Sequence, residues 1–350
     1  MRPDKCPHYP HGPTSESTAL RHLQAFLLAA GLIVAVAVIG VYGFADVSAG
    51  VLSAGWGIVW IVLYHTVPLA ADAAGWGRLF DDRRRPGAGA IYLYRWISEA
   101  VNNLLPVAQV GGEVVRVRLA EKAGAPGTHT AATVIVDVTV GLFALMMFAA
   151  LGIVLLLISS IDSRNEIYPI VAGVAVFTAL ITGFLVAQRA GMVRLIGRFA
   201  ARIGQMTKSN NLSAIVGGVH RLDAGIQQIY RRRTRLAACF SFRMASFILG
   251  SGEVWLGLYF LNQSTDVVDA LVIYSLTMAI RSAAFAIPGG LGAQEGAFLV
   301  VGTMLGLDPE TALALAILKR VREILFGLPG LAAWWLIEHR LLAHASATKD

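Results

Sequence analysis

The sequence predicts an all-α polytopic membrane protein of six full spans plus two re-entrant, Pro-broken helix pairs, arranged as an inverted repeat. Composition is the first reason. Of 350 residues 56% are hydrophobic and only 15% charged, and the mean hydropathy of +0.64 exceeds what a water-soluble domain needs to fill its core. Run length is the second. A helix needs about 20 mostly apolar residues to cross roughly 30 Å of hydrocarbon, and several stretches meet that requirement. The third is a polar interruption that recurs once in each half, carrying Pro, Gly and Glu.

Taken in order, residues 1–20 are polar and hold Pro3, Pro7, Pro10 and Pro13, so they read as a disordered tail and not as a cleaved signal. Cys6, His8 and His11 within it form too short a cluster to read as a metal site, and Cys6 and Cys239, the only cysteines, fit no CxxC pattern. No cofactor is expected. The first membrane repeat covers residues 21–160: spans at 24–44 and 50–71, the re-entrant segment at 91–121, and a third span at 130–160. The second covers 161–340: a span at 168–188, a basic amphipathic loop at 189–235, a span at 236–261, the re-entrant segment at 267–306, and a last span ending near residue 338. Residues 341–350 form a short tail.

Charge fixes the expected orientation, because Lys and Arg are retained in cytoplasmic loops. The connection after the second span carries Arg78, Arg83, Arg84 and Arg85, and the long loop carries Arg189, Arg194, Arg198, Arg202 and Arg231 to Arg233, whereas 161–167 and 262–269 are acidic. Both termini are therefore expected in the cytoplasm, in a bacterial-type inner membrane. The net charge of +7 is a topology signal, and nucleic acid is not an expected partner. In the long loop Met192, Leu195, Ile196, Phe199 and Ile203 alternate with arginines at helical spacing, which reads either as a headgroup-binding surface or as a topology determinant resting on lipid.

The two interruptions match. Pro106 is followed by Gly111, Gly112 and Glu113; Pro288 by Gly289, Gly290, Gly292, Gln294 and Glu295. The Glu stands seven positions after the Pro each time, and the prolines lie 182 positions apart. Each half crosses the membrane an odd number of times, so the second copy starts on the opposite face and the broken segments are expected to meet from opposite sides. Backbone freed by Pro and Gly has no partner in lipid, so it is expected to line protein or a wet cavity, where helix N-termini would attract an anion.

Ionisable residues inside spans cost about 2.5 kcal/mol or more and so pair or line a pathway. The candidates are Glu99, Glu113, Arg116, Asp137, Arg281, Glu295 and the basic trio Lys319, Arg320 and Arg322, with Gln294 in the second turn. Under the 182-residue offset Glu99 matches Arg281 and Asp137 matches Lys319, opposite signs that suggest ion pairing between the halves. Three cations exceed the needs of Glu323 beside them, and a phosphate headgroup would supply the missing charge. Asn102 and Asn103 allow two readings, donors to a headgroup or caps for freed carbonyls. So does His65, a proton shuttle or a hydrogen-bonded interior histidine.

The stretches 99–116 and 287–296 resemble the two signatures of the lysylphosphatidylglycerol synthase transmembrane-region family, and more narrowly its hopanoid-biosynthesis-associated branch, over roughly residues 20–340. The resemblance implies a flippase-like domain that moves an anionic phospholipid or a hopanoid-related lipid between leaflets, with membrane lipids as partners. The family's best-known members add a soluble aminoacyl-transferase domain, for which the basic loop is too short. No HExxH, GxSxG or Walker loop is present either, so the chain is expected not to be an enzyme. A coupled transporter of a small anionic solute and a membrane scaffold for lipid or hopanoid biosynthesis enzymes are the alternatives, and a homo-oligomer is left open.

Overall fold

The computed structural model describes residues 54–82, 85–105, 111–159, 212–263, 266–284, 290 and 292–347. The expected first and fourth spans, the amphipathic stretch 192–203, and Pro106, Pro288 and Gly289 lie outside them. Among the described residues there are ten helices and no strand, an all-α protein: α1 Gly57–Tyr64, α2 Thr66–Gly77, α3 Ala88–Leu104, α4 Gly111–Lys122, α5 Gly127–Ser159, α6 Leu212–Tyr230, α7 Arg233–Phe260, α8 Val267–Ala283, α9 Ala293–Met304 and α10 Pro309–Ala347.

Local chemistry accounts for the breaks. Helices α1 and α2 form one run that tightens at His65, three residues before Pro68, which cannot donate to Tyr64 and crowds the preceding turn. The run, 57–77, and α5 over 127–156 are long and apolar enough to cross a membrane. Helices α7 and α10 have 28 and 39 residues, about 42 and 58 Å at 1.5 Å per residue, but carry several charges. Those nearest their middles, Arg243 and Glu253 on α7 and Lys319, Arg320, Arg322 and Glu323 on α10, are paired inside the protein, as described below.

Both interrupted segments form a 17-residue helix, a break, and a 12-residue helix: α3 with α4, and α8 with α9. Adding 182 to the bounds of α4 gives those of α9, and adding it to the first residue of α5 gives that of α10. Packing follows the same exchange. Helix α3 packs on α10 and α8 on α5, while α2 packs on α7. Small residues let these helices approach: a Cβ on Gly330 of α10 would lie 2.9 Å from that of Ala100 on α3, and one on Gly152 of α5 would overlap Ser275 on α8.

The end of the stretch expected as a loop is helical. Helix α6 packs on α5 because Leu222, Ile226 and Ile229 share one face, and the latter two are buried. The arginines that follow it form ion pairs. Arg232 pairs with Asp81, and Arg235 reaches Asp82 at 2.9 Å and donates to the Phe80 carbonyl.

The close approach of α4 to α3 is set by contact distance. Gly112 lies so close to α3 that a Cβ there would sit 2.1 Å from the Ser98 carbonyl oxygen, while its N–H donates to Asn102 Oδ1 at 2.8 Å. Gly112→Val is expected to cost about 1–3 kcal/mol, read as a lower thermal midpoint in detergent. Gly89→Ala, where nothing lies within 4 Å, serves as its unchanged control.

Candidate functional site

The polar face of α3 builds one wall of the site. Arg95, Glu99, Asn102 and Asn103 recur at helical spacing, opposite the buried face of Ile91, Ile97, Val101 and Leu104. This face looks into a cavity of about 290 Å³, room for roughly ten waters at ~30 Å³ each. The remaining walls come from His65, Asp72, Glu113, Arg243, Arg281, Lys319, Arg322 and Glu323, together with the apolar Leu142, Leu145, Phe247 and Met278. Charged groups from both halves thus converge on one space.

The charges form two groups. In the first, Arg95 binds Asp72 at 2.5 Å and lies 3.7 Å from Glu113, Arg116 binds Asp137 at 2.7 Å and also pairs with Glu113, and Arg243 binds Asp137 at 2.7 Å and pairs with Asp72. Three cations meet three carboxylates among the described residues. Arg116, fully buried, also stands 4.5 Å over the ring of Trp76.

The second group centres on α10. Lys319 binds Glu253 at 3.1 Å; Arg322 binds Glu253 at 2.8 Å and Glu99 at 3.4 Å; Arg320 binds Glu295 at 2.6 Å and Glu323 at 2.8 Å. Arg281 binds Glu323 at 2.6 Å and donates to Gln294 at 2.5 Å and Asn103 at 2.8 Å. His65 has one ring nitrogen on Glu253 and the other 2.8 Å from Glu99. Four cations meet four carboxylates here, again among the described residues.

Several expectations change. The basic trio is not short of negative charge: its carboxylates come from α3, α7 and α9, far away in sequence. The matched positions do not pair with each other either, since Glu99 meets His65 and Arg322, Arg281 meets Glu323, and Asp137 meets Arg116 and Arg243. Ion pairs do join the halves, through Glu99 with Arg322 and Asp137 with Arg243.

Of the candidate residues, Glu99, Asn102, Asn103, Glu113, Arg281, Lys319 and Arg322 line the cavity; Arg116, Asp137, Gln294, Glu295 and Arg320 do not, standing behind the lining groups. The helix N-termini are served by the chain's own side chains. Glu295 Oε2 accepts from the N–H of Gly292, a glycine with φ of +78°, and Gly290 has a φ of +64°. Glu113 and Glu295 occupy the same third position of their helices, where the dipole favours a carboxylate. Asn102 Oδ1 accepts from the Gly112 N–H, so it caps a freed amide and not a carbonyl, while Asn103 holds Arg281.

Sequence reasoning missed Asp72 and Arg95 and gave Arg243 and Glu253 no role. One signal was available: Arg95 lies four residues before Glu99, on the face that carries the two asparagines. The Nε groups of Arg243 and Arg322, both cavity-lining, have no hydrogen-bond partner among the described residues.

The fold and site define a helical membrane protein with a charge-lined cavity. The chain belongs to the family of the lysylphosphatidylglycerol synthase TM region, whose model matches residues 27–330. A UPF0104 membrane protein of Pyrococcus horikoshii is 26% identical over 273 residues, 70% of this chain and 76% of the relative. Another UPF0104 membrane protein, from Methanothermobacter thermautotrophicus, is 22% identical over 232 residues, 64% of this chain and 68% of the relative. No solved structure matches the chain significantly.

Proposed function

We propose that the protein translocates a lipid between leaflets, holding an anionic phospholipid or hopanoid-related headgroup in the central cavity while the tails stay in the bilayer. The observation that carries this reading is the cavity wall: paired charges, and two guanidinium N–H groups without partners among the described residues, beside apolar side chains at the junction of two broken helix pairs. Lipid headgroup and chain need such a mixed surface. Family membership supports a lipid-related role. In this reading the chain is not an enzyme, its termini are cytoplasmic, and it resides in a bacterial-type inner membrane.

The architecture proposed for it is an inverted repeat. The coincident helix bounds and the exchange of partners between α3 with α10 and α8 with α5 support a pseudo-two-fold relation, the basis of alternating access in many transporters. A small anionic solute is the second reading, favoured by the cavity volume of about 290 Å³, which suits a free anion as well as a headgroup.

Reconstitution in liposomes tests the proposal. Headgroup-labelled phosphatidylglycerol is expected to exchange between leaflets faster than in empty vesicles. Arg281→Gln is expected to slow exchange by about tenfold to a hundredfold, since a hydrogen bond to a charged group contributes about 1.5–3 kcal/mol. Exchange equal to that of empty vesicles for phosphatidylglycerol and for hopanoid lipids overturns the lipid reading, and uptake of inorganic phosphate instead would establish the second.

A further inference from the structure

The environment of His65 requires a proton that a neutral imidazole does not have. One ring nitrogen is in hydrogen-bond contact with Glu253 of α7, and the other is 2.8 Å from Glu99 of α3. Two carboxylates can only accept, so each contact needs a hydrogen between its partners. A neutral ring supplies one. The second resides either on the ring, making an imidazolium, or on one carboxylate, and in either case the three groups hold one proton more than a neutral histidine between two carboxylate anions.

The neighbours make that proton significant for charge. Arg322 faces both carboxylates and Lys319 faces Glu253, from α10; Tyr274 and Arg281 line the cavity from α8; and Phe326 packs edge-on to the imidazole at 4.7 Å. Without the extra proton, three cations balance three carboxylates in the first group and four balance four in the second, counted among the described residues. With it the site carries one net positive charge, the complement of a single phosphodiester. The position is also mechanically sensitive: His65 stands at the Pro68 break, and its two partners belong to different halves of the chain.

We propose that His65, Glu99 and Glu253 form a proton-binding site whose occupancy makes the cavity receptive to a monoanion, so that proton and anion move together. The anion part rests on the translocase reading; the proton site does not. By linkage each partner raises the affinity for the other by the same factor.

Nitrogen NMR on the full chain in lipid bilayers at pH 7.5, with labelled histidine, tests the site directly. The His65 signals, assigned by their loss in His65→Gln, are expected to show a proton on both ring nitrogens, and Glu99→Gln, whose amide can itself donate, is expected to return the ring to its neutral form. A neutral ring with one bare nitrogen in the unmodified chain, without a protonated carboxyl at Glu99 or Glu253 in carbon NMR, overturns the proton site. Exchange of labelled phosphatidylglycerol across proteoliposomes tests the coupling. A one-unit pH gradient is expected to bias the leaflet distribution up to tenfold toward the alkaline side, and a protonophore to remove the bias. Exchange indifferent to the gradient overturns the coupling. A doubly protonated His65 in a protein that moves no lipid would sink the translocase reading and leave the proton site standing.

Discussion

Arg243→Leu is expected to lower the stability of the folded protein by about 3–5 kcal/mol, measured by unfolding in mixed micelles. Arg243 spans Asp137 at 2.7 Å and Asp72, and both carboxylates are buried. Removing it leaves three carboxylates to two cations among the described residues of that group. Arg95 still holds Asp72 and Arg116 still holds Asp137, so neither is stripped bare, but the group acquires a net negative charge away from water. The double variant Arg243→Leu with Asp137→Leu also tests the packing, because it removes one charge of each sign. It is expected to recover part of the loss, as replacing a whole buried pair by apolar groups costs less than orphaning one partner. A double variant no more stable than the single one would mean that the arginine acts through its shape and not its charge.

Glu253→Leu is expected to have an effect of the same order. This carboxylate accepts from Lys319 and Arg322 and contacts His65, so it is the point where α7 is tied to both α10 and the α1–α2 break. Its loss leaves Lys319 with no carboxylate partner among the described residues, while Arg322 keeps Glu99. We expect a loss of about 3–5 kcal/mol in the same assay, partly recovered by adding Lys319→Leu. Glu253→Gln keeps the size and one acceptor and should cost less. If leucine and glutamine were equally well tolerated, electrostatic closure of this group would not be a source of stability.

These two residues also show where sequence reading stops. The interruptions are legible because Pro and Gly act locally: Glu99, Asn102, Asn103 and Glu113 lie within one short stretch, and these four cavity residues could be named from it. The all-helical class was legible for a similar reason, since run length is a local property. Pairing is not local. Arg322 finds Glu99 at a separation of 223 positions and Lys319 finds Glu253 at 66, so a cation count within one segment suggested a surplus that three-dimensional contact removes. Asp72 was hidden by position, one residue past the apolar run, where an acid looks interfacial. Arg243 was visible as a charge in a span, but nothing in its neighbourhood in sequence named Asp72 or Asp137 as its partners.

The repeat offset gives the cavity an unexpected origin. Val138 and Gly141 line it from α5, and the positions 182 residues later on α10 hold Arg320 and Glu323. One helix carries long charged side chains where its counterpart carries a valine and a hydrogen atom. On this wall the cavity is bordered by small side chains, and Glu323 faces the same space from α10. Larger side chains at positions 138 and 141 would leave less of this space. For anyone redesigning it, Gly141 is the stopper, since a Cβ there would already stand 3.3 Å from the Arg243 guanidinium carbon, and a longer side chain would occupy the vessel from within.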